Sequence, residues 1–480
     1  MRQLPAVRRP RVLGLAMAVA LLLQTPALPF SSLASPAVAE DAAPVSIIES
    51  VDAGGFTHPG IGVSAASLRN ARDMVKSGTE PWKSYYAAMA ETPFAARDFR
   101  SSNAGSGPDQ PGTVAFNSQG VQSKLIRDAF GAYTQAVLYV VTGDPVYREN
   151  GMRVIRTWSN MDPAQYAYYP DAHIHSGVPL YRLVAAAEIF RSTSLPDGYA
   201  AYDLGWSEQD TAKLSTNVIA PMTETFLHTN WRYLNQHGYP LVGAIAGYIF
   251  TGNHDRYAEA VEWYTVNSST SRPEQNGSMA ALFPLIKADN PLNPYGRDFV
   301  QHQEMGRDQA HAWDGISVQG TLARFLSVQG TRVDPAAGTI STAADAVTAY
   351  DFLGKRLLKA ANTFTGYMLG YDIPWIDTTG GPGQLSEAYR GRTFNPIDEL
   401  YYAYKYQGVD VEKEAPYLAE LHAKADGPKF YWGTKAYNSW DSNPDYAPEY
   451  WLSLQARRGP QLPTPPCSWK PGVQPRTASS

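Results

Sequence analysis

The chain predicts an all-α protein on three observations. Apolar residues recur at helical spacing through most of its length, helix-turn-helix units return along it, and strand-like alternation is scarce. Repeated helical hairpins without strands build either a solenoid or a closed α/α toroid, whose inter-helix loops carry polar residues around a funnel at one end.

Taken in order, Ala65 to Met89 (AASLRNARDMVKSGTEPWKSYYAAM) holds two helical pieces broken at Gly78 and Pro81. Leu125 to Val141 and Val146 to Trp158 flank TGDP, where Gly143 stops one helix and Pro145 starts the next. The design returns in Leu241 to Trp263, where AIAGYIFTGNHDRYAEAVEWY echoes TQAVLYVVTGDPVYRENGMRVIRTW. LARFLSVQG (Leu322 to Gly330) and YYAYKYQG (Tyr401 to Gly408) are fainter copies of its first half. Stretches rich in Gly, Pro, Asn and Asp interrupt the helices at Ser101 to Thr113, Arg272 to Gly296, Asp377 to Gly383 and Ser439 to Pro448. Long ordered loops are more often functional than plain connectors.

The N-terminal MRQLPAVRRPRVLGLAMAVALLLQTPALPF sets four arginines before an apolar run from Val12 to Leu23, followed by Ala37-Val38-Ala39. That is the pattern of a secretory leader over 1–39, and its apolar run is shorter than the ~20 residues that span a bilayer. The Arg8-Arg9 pair hints at twin-arginine export. A helical domain over 40–458 and a Pro-rich, disordered tail over 459–480 complete the expected organisation, with the mature protein secreted or periplasmic and free of membrane spans.

Cys467 is the only cysteine, so no intramolecular disulfide forms and stability rests on packing. The formal net charge is -5, and removal of four leader arginines leaves the chain more acidic still. Such a balance argues against nucleic-acid partners, and a polyanionic ligand would need positive charge gathered locally in a cleft. The 30 Tyr and 11 Trp, against 16 Phe, suit stacking on sugars, since both rings join a flat apolar body to a polar tip.

Four polar clusters stand out. DAHIHSGVPLYR carries His173 and His175, placed in a loop ahead of a helical VPLYRLVAAAEIF and open to a substrate-facing, a packing or a metal-binding role. HTNWRYLNQHGYP gathers Asn230, Arg232, Asn235, Gln236 and His237 before an apolar small-residue helix, at a mouth whose free N–H groups favour anions or where Asn235 acts as a cap. In NPYGRDFVQHQEMGRDQAHAWDG, a helical Gln301 to Ala312 would align Glu304, Arg307, Asp308 and His311 on one face, as a site or as an ion-pair ladder. Just upstream, a loop presents Tyr295 and Arg297. EAYRGRTFNPIDELYYAY places Arg390 and Arg392 to embrace carboxylates or to cap their neighbours.

HPGIGVSAASLRNARDMVKSGTEPWKSYYAAM, YVVTGDPVY, DAHIHSGVPLYR, NWRYLNQHGYP, HQEMGRDQAH and EAYRGR occur in this order. Together they resemble the alginate-lyase-like α/α-toroid proteins, nearest to polysaccharide lyase family thirty-eight, over His58 to Leu454. The resemblance implies a toroid of six to seven helical hairpins and β-elimination on an anionic polysaccharide, alginate or β-1,4-glucuronan. It assigns Asn235 to the uronate carboxylate. His237 is the expected base, by its ordinary pKa of about 6.5, and Tyr295 the expected acid, or base and acid both if Arg297 or Arg307 depresses its phenol. Arg307, Arg390 and Arg392 neutralise carboxylates, Glu304 and His311 orient these groups, and His173, His175, Asn230, Arg232, Gln236 and Arg297 hold the polymer. No redox cofactor is implied, and no EF-hand loop or acidic run predicts a divalent cation. A glycoside hydrolase using Asp298, Glu304, Asp308 or Asp314, and a sugar-binding protein without turnover, are the competing readings.

Overall fold

In the computed structural model the described residues are 45–196, 202–378, 384–392, 397–424, 428–433 and 447–456. The expected leader and tail lie outside them. Helices dominate: α1 (Ala65–Lys76), α2 (Trp82–Ala90), α3 (Gln119–Thr142), α4 (Pro145–Ser159) and α5 (Ala172–Arg191) occupy the first half. A stretch of α6 (Glu208–Leu214), α7 (Ala220–Met222) and two π-helical turns leads to α8 (Gly238–Thr251) and α9 (His254–Thr265). Then come α10 (Met279–Leu282), α11 (Gln309–Val328), α12 (Phe352–Met368), α13 (Ile397–Tyr406), α14 (Val411–Glu414) and α15 (Pro416–Lys424). Among the described residues strand is confined to two antiparallel pairs of two-residue strands, β1 (Ser50–Val51) with β2 (Thr57–His58) and β3 (Leu285–Ile286) with β4 (Phe299–Val300).

The turn chemistry read from the sequence is what separates the hairpins. Gly143 ends α3 in the left-handed region at φ 74°, and Asp144 then caps α4 by accepting from the N–H of Val146, with Pro145 at the first helical position. Gly252 and Asn253 do the same between α8 and α9. Three expectations need correction. The segment Arg272 to Gly296 is not simply a loop, because it holds α10 and β3. Gln301 to Ala312 is not one helix: Gln303–Gly306 forms a single 3-10 turn, and α11 begins only after Asp308, whose extended backbone and side-chain bond to the N–H of His311 make it the N-cap. The His173-His175 pair belongs to the first turn of α5 itself rather than to a preceding loop.

Burial divides the long helices into two kinds. Every residue of α8 from Gly238 to Phe250 is buried, and α3, α5 and α11 are enclosed nearly all round. In contrast α4 buries Tyr147, Arg148, Gly151, Met152, Ile155 and Trp158, the stripe of a helix with one face to solvent. The enclosed set packs side by side, α3 on α5, α5 on α8 and α8 on α11. Close approach of α5 to α8 needs glycine: a Cβ on Gly177 would sit 1.9 Å from the Tyr239 carbonyl oxygen, and one on Gly243 2.6 Å from that of Gly177.

Two sets of contacts give these helices a common direction. At their N-terminal ends, His173 of α5 meets Gln236 just before α8 at 3.3 Å, and the N–H of Asn235 meets Glu304 just before α11 at 3.3 Å. At the opposite ends, Glu188 of α5 accepts from the N–H groups of Gly60 and Ile61 at 2.8 and 3.0 Å, while Gln329 after α11 bonds Thr57 and Gly60. The last described segments return to the first helices: Trp432 donates to Thr134 of α3 at 2.9 Å, and Asn70 of α1 donates to the Leu454 carbonyl at 3.0 Å.

Where α5, α11 and α13 meet, the core holds charge. The Arg324 guanidinium, 3 % exposed, bonds Glu399 at 2.7 Å, Glu449 at 2.9 Å and the Gly62 carbonyl at 3.1 Å. Tyr181 donates to the same Glu449 oxygen at 2.8 Å. Arg324→Met strands Glu399 in an apolar interior and leaves Glu449 to Arg182, 3.8 Å away, so urea denaturation is expected to show a loss of about 3–5 kcal/mol, against a change within about 0.5 kcal/mol for the surface control Lys83→Met.

Candidate functional site

The segment 231–237 reaches α8 through a 3-10 turn, Leu234–His237, whose shape is set from below. Gly277 packs so closely there that a Cβ would fall 1.9 Å from the Leu234 carbonyl oxygen and 2.6 Å from the His237 Cβ. Within the turn, His237 is fully buried. Its Nε2 lies 2.8 Å from the Trp263 carbonyl oxygen; a carbonyl only accepts, so Nε2 carries the proton and Nδ1 is a bare acceptor. Burial pushes the imidazole pKa down to about 4, which keeps the ring neutral. His237 therefore pins the turn to α9 and, enclosed in this way, does not meet a polymer; its assignment as the base is corrected on that ground. Asn235, beside it, is 4 % exposed, and its side-chain carboxamide makes no hydrogen bond among the described residues. The buried atom without a partner is the acceptor Oδ1, which suits a ligand hydroxyl, while Nδ2 is the group able to donate to a carboxylate.

The backbone N–H of Asn235 is taken by Glu304, a carboxylate 1 % exposed. Around Glu304 stand Arg307, 3.7 Å from its Oε2, and the ionisable neighbours His311 and Tyr233. Burial raises the Glu304 pKa, and Arg307 and the Asn235 N–H pull it partly back. The Arg307 side chain is itself partly open to solvent and lies 6.0 Å from the Tyr233 ring centroid. Burial, aided by Glu304, raises the Tyr233 phenol, which stays protonated at neutral pH. Asp308 serves twice, as N-cap and as partner to His311 Nδ1 at 2.6 Å. Burial alone would lower the His311 pKa; the bond to Asp308 more than offsets it and leaves the imidazole above its ordinary value. With Nδ1–H committed to Asp308, Nε2 is the nitrogen left for chemistry.

At the mouth of α5, Tyr168 bonds His173 Nδ1 at 3.0 Å, and His173 Nε2 reaches Gln236 at 3.3 Å. Burial first, then the charge of Arg232, lowers the His173 pKa to about 4. His175 is buried two residues on, and residues i and i+2 of a helix face different ways, so the pair does not share a metal. Among the described residues no group of three or more His, Cys, Asp or Glu is arranged to hold a metal ion. Arg232 lies 5.3 Å from the Tyr168 ring and 4.1 Å from that of Trp231. Asn230 is turned to structural use, donating to Ser269 at 3.1 Å while its carbonyl accepts from Asn267.

The remaining candidates sit further out. Tyr295 is exposed and contacts Trp375, its hydroxyl 3.4 Å from that carbonyl oxygen, and its ring meets Phe299 edge-on. Trp375 in turn donates to the His302 carbonyl at 3.1 Å and covers Gly306, so Tyr295 borders the Glu304 turn without bonding to it. Arg297 is exposed on the same loop. Arg390 is spent on Glu387 at 2.9 Å and on the Tyr367 carbonyl and ring, and Arg392 lies against Tyr389. What the EAYRGR segment does do is clasp the other motif: Ser386 N–H donates to Met305 O at 3.0 Å, and Gln309 donates to Ala388 O at 3.1 Å and to Ser386 O at 2.7 Å.

The sequence reading passed over Tyr233, Trp231 and Tyr168, and left Asp308 between a site and an ion-pair ladder. The signal for three of them was present in the alternation of exposed aromatics with arginine in NWRY and in the tyrosines before DAHIH. A cleft of about 590 Å³ beside the π-helical turns, lined in part by Ser215, Thr223, Tyr248 and Thr251, shares no residue with this cluster. Its Ser215 and Thr251 hydroxyls donate within their own helices, at 2.7 and 2.9 Å.

No protein-family model matches the chain, and no curated protein matches it in sequence. Among the described residues no helix is long and apolar enough to cross a membrane.

Because Gly277 fixes the turn that carries Asn235, Gly277→Ala overpacks it. Chemical denaturation is expected to show a loss of about 1–3 kcal/mol, with larger losses for bulkier residues.

Proposed function

We propose that the protein is a secreted polysaccharide lyase, folded as an α/α toroid, that cleaves a uronic-acid polymer, alginate or β-1,4-glucuronan, by β-elimination. The return of the 428–433 and 447–456 segments to α1, α2 and α3 supports a closed ring of hairpins. The motif resemblance and the leader pattern support the rest. The single observation that carries the chemistry is the convergence of the Asn235 turn and Arg307 on Glu304, beside a protonated phenol and a carboxylate-oriented imidazole.

Elimination removes the C5 proton next to a carboxylate and expels the sugar on O4. Asn235 and Arg307 hold the substrate carboxylate and take up the charge that develops on it, a stabilisation worth several kcal/mol when donors are preorganised. His311 Nε2 accepts the C5 proton, with Asp308 stabilising the imidazolium that results. The C5–H electron pair becomes the C4=C5 double bond as the C4–O4 bond breaks. Tyr233, kept protonated, gives its proton to O4, and transfer from His311 through solvent restores both groups.

A hydrolase needs two carboxyl groups open across a cleft. Here Glu304 is enclosed, Asp308 is engaged by His311, Asp298 is tied to Lys287 at 2.9 Å and Asp314 is buried, which favours elimination.

Incubation with alginate and glucuronan is expected to raise ultraviolet absorbance from the unsaturated product end; new reducing ends without absorbance would mean hydrolysis. Tyr233→Phe is expected to lose about 10²–10⁴-fold in kcat, and Tyr295→Phe much less; the reverse order returns the acid role to Tyr295. A base must be neutral to work, and Asp308 raises the His311 pKa, so the acid limb of the kcat/KM profile should lie above the ordinary histidine value. Asp308→Asn should move that limb to lower pH; an unmoved limb removes His311 from the base role.

A further inference from the structure

We infer that Trp231, Arg232 and Arg272 form a second carboxylate subsite, which binds the uronate next to the reacting sugar. The inference rests on the polyuronate reading and deepens it. Arg232 and Arg272 both lie against the Trp231 indole, their guanidinium carbons 4.1 and 4.7 Å from its ring centroid. The indole is 37 % exposed, and Arg272 is exposed on the loop before Pro273. Among the described residues neither arginine has a carboxylate within ion-pair distance, and the Arg232 Nε is buried without a partner. Among the described residues the one polar side chain bonded to the Arg272 guanidinium is that of Gln275, at 3.4 Å.

Two cations against one ring repel each other, and in a chain of net charge -5 acids were available to separate them. Leaving both without an acid makes sense where an anion arrives from outside. A planar guanidinium held on an aromatic face is oriented before binding and presents a fork that fits a carboxylate in two bonds. The cluster is also continuous with the proposed catalytic one. Arg232 stands over Tyr168, Tyr168 bonds His173, His173 bonds Gln236, and Asn235 follows in the chain. Tyr233, next to Arg232 in the chain, has Arg307 6.0 Å from its ring centroid. Arginines and rings therefore lie together along this segment, Arg307 with Tyr233, Arg232 with Tyr168 and Trp231, Arg272 with Trp231.

The test is binding, measured by affinity electrophoresis of the full chain in gels holding glucuronan, carboxyl-reduced glucuronan or dextran sulfate. Arg272→Met, a surface change, is expected to weaken glucuronan binding about threefold to tenfold and to flatten its salt dependence, and Arg232→Met to act in the same direction. Binding to the carboxyl-reduced polymer should be the same in wild type and Arg272→Met, and Lys83→Met should match wild type on every gel. Unchanged glucuronan binding in Arg272→Met overturns the subsite, as does a loss on dextran sulfate as large as that on glucuronan. If wild type yields no ultraviolet product while the Arg272 dependence holds, the lyase reading fails and the subsite stands. Product formation with Arg272-independent binding has the opposite meaning.

Discussion

A single buried carboxylate holds the candidate site together. Glu304 takes the backbone N–H of Asn235 on one side and faces Arg307 on the other, so it joins the turn before α8 to the turn before α11. Enclosing a carboxylate costs several kcal/mol unless partners repay it, and here the repayment is partial, as its raised pKa records. The consequence is positional. With Glu304 in place, the Asn235 amide, the Arg307 guanidinium, the Tyr233 phenol and the His311 imidazole are brought around one point. The same tie joins the N-terminal ends of α8 and α11, and the His173–Gln236 contact adds that of α5; the free N–H groups of such ends favour anions.

The far ends of these helices do a different job. Around residues 57–62 and the Arg324 network, hydrogen bonds and buried ion pairs fix α5 and α11 against α13 and the C-terminal Pro448–Ser453 turn. Satisfied in this way, the core positions the helix mouths, and the loops at those mouths are free to carry polar groups that packing would otherwise exclude. The clasp of 386–388 over Met305 and Gln309 completes the support from outside.

Much of the fold was legible because it rests on local chemistry. The stops at Gly143 and Gly252 and the starts at Pro145 and His254 follow from backbone conformations that neighbours do not alter. The NQH and EMGRDQAH motifs pointed to segments that do meet. What local pattern could not supply was side-chain placement. His237 has the right chemistry for a base, yet the carbonyl of Trp263, 26 residues away, claims its Nε2, a tertiary fact with no trace in the motif. The spacing of Glu304, Arg307, Asp308 and His311 at three, four and seven residues suggested one helix; Asp308 instead caps α11, and the pairs Glu304 with Arg307 and Asp308 with His311 form on either side of the break. Choosing among thirty tyrosines needed the neighbours of each, and Tyr233 has both Glu304 and Arg307.

On the proposed reading a protein of acidic balance binds an acidic polymer by setting Arg307, Arg232 and Arg272 along exposed rings, with the Asn235 amide beside them. The most direct measurement is a crystal structure of the His311→Ala variant soaked with a uronate oligosaccharide. The account predicts a sugar carboxylate within hydrogen-bond distance of both the Asn235 carboxamide and Arg307, with Tyr233 beside the bridging oxygen. An oligosaccharide seated elsewhere, or one whose carboxylates leave Asn235 and Arg307 untouched, would contradict it.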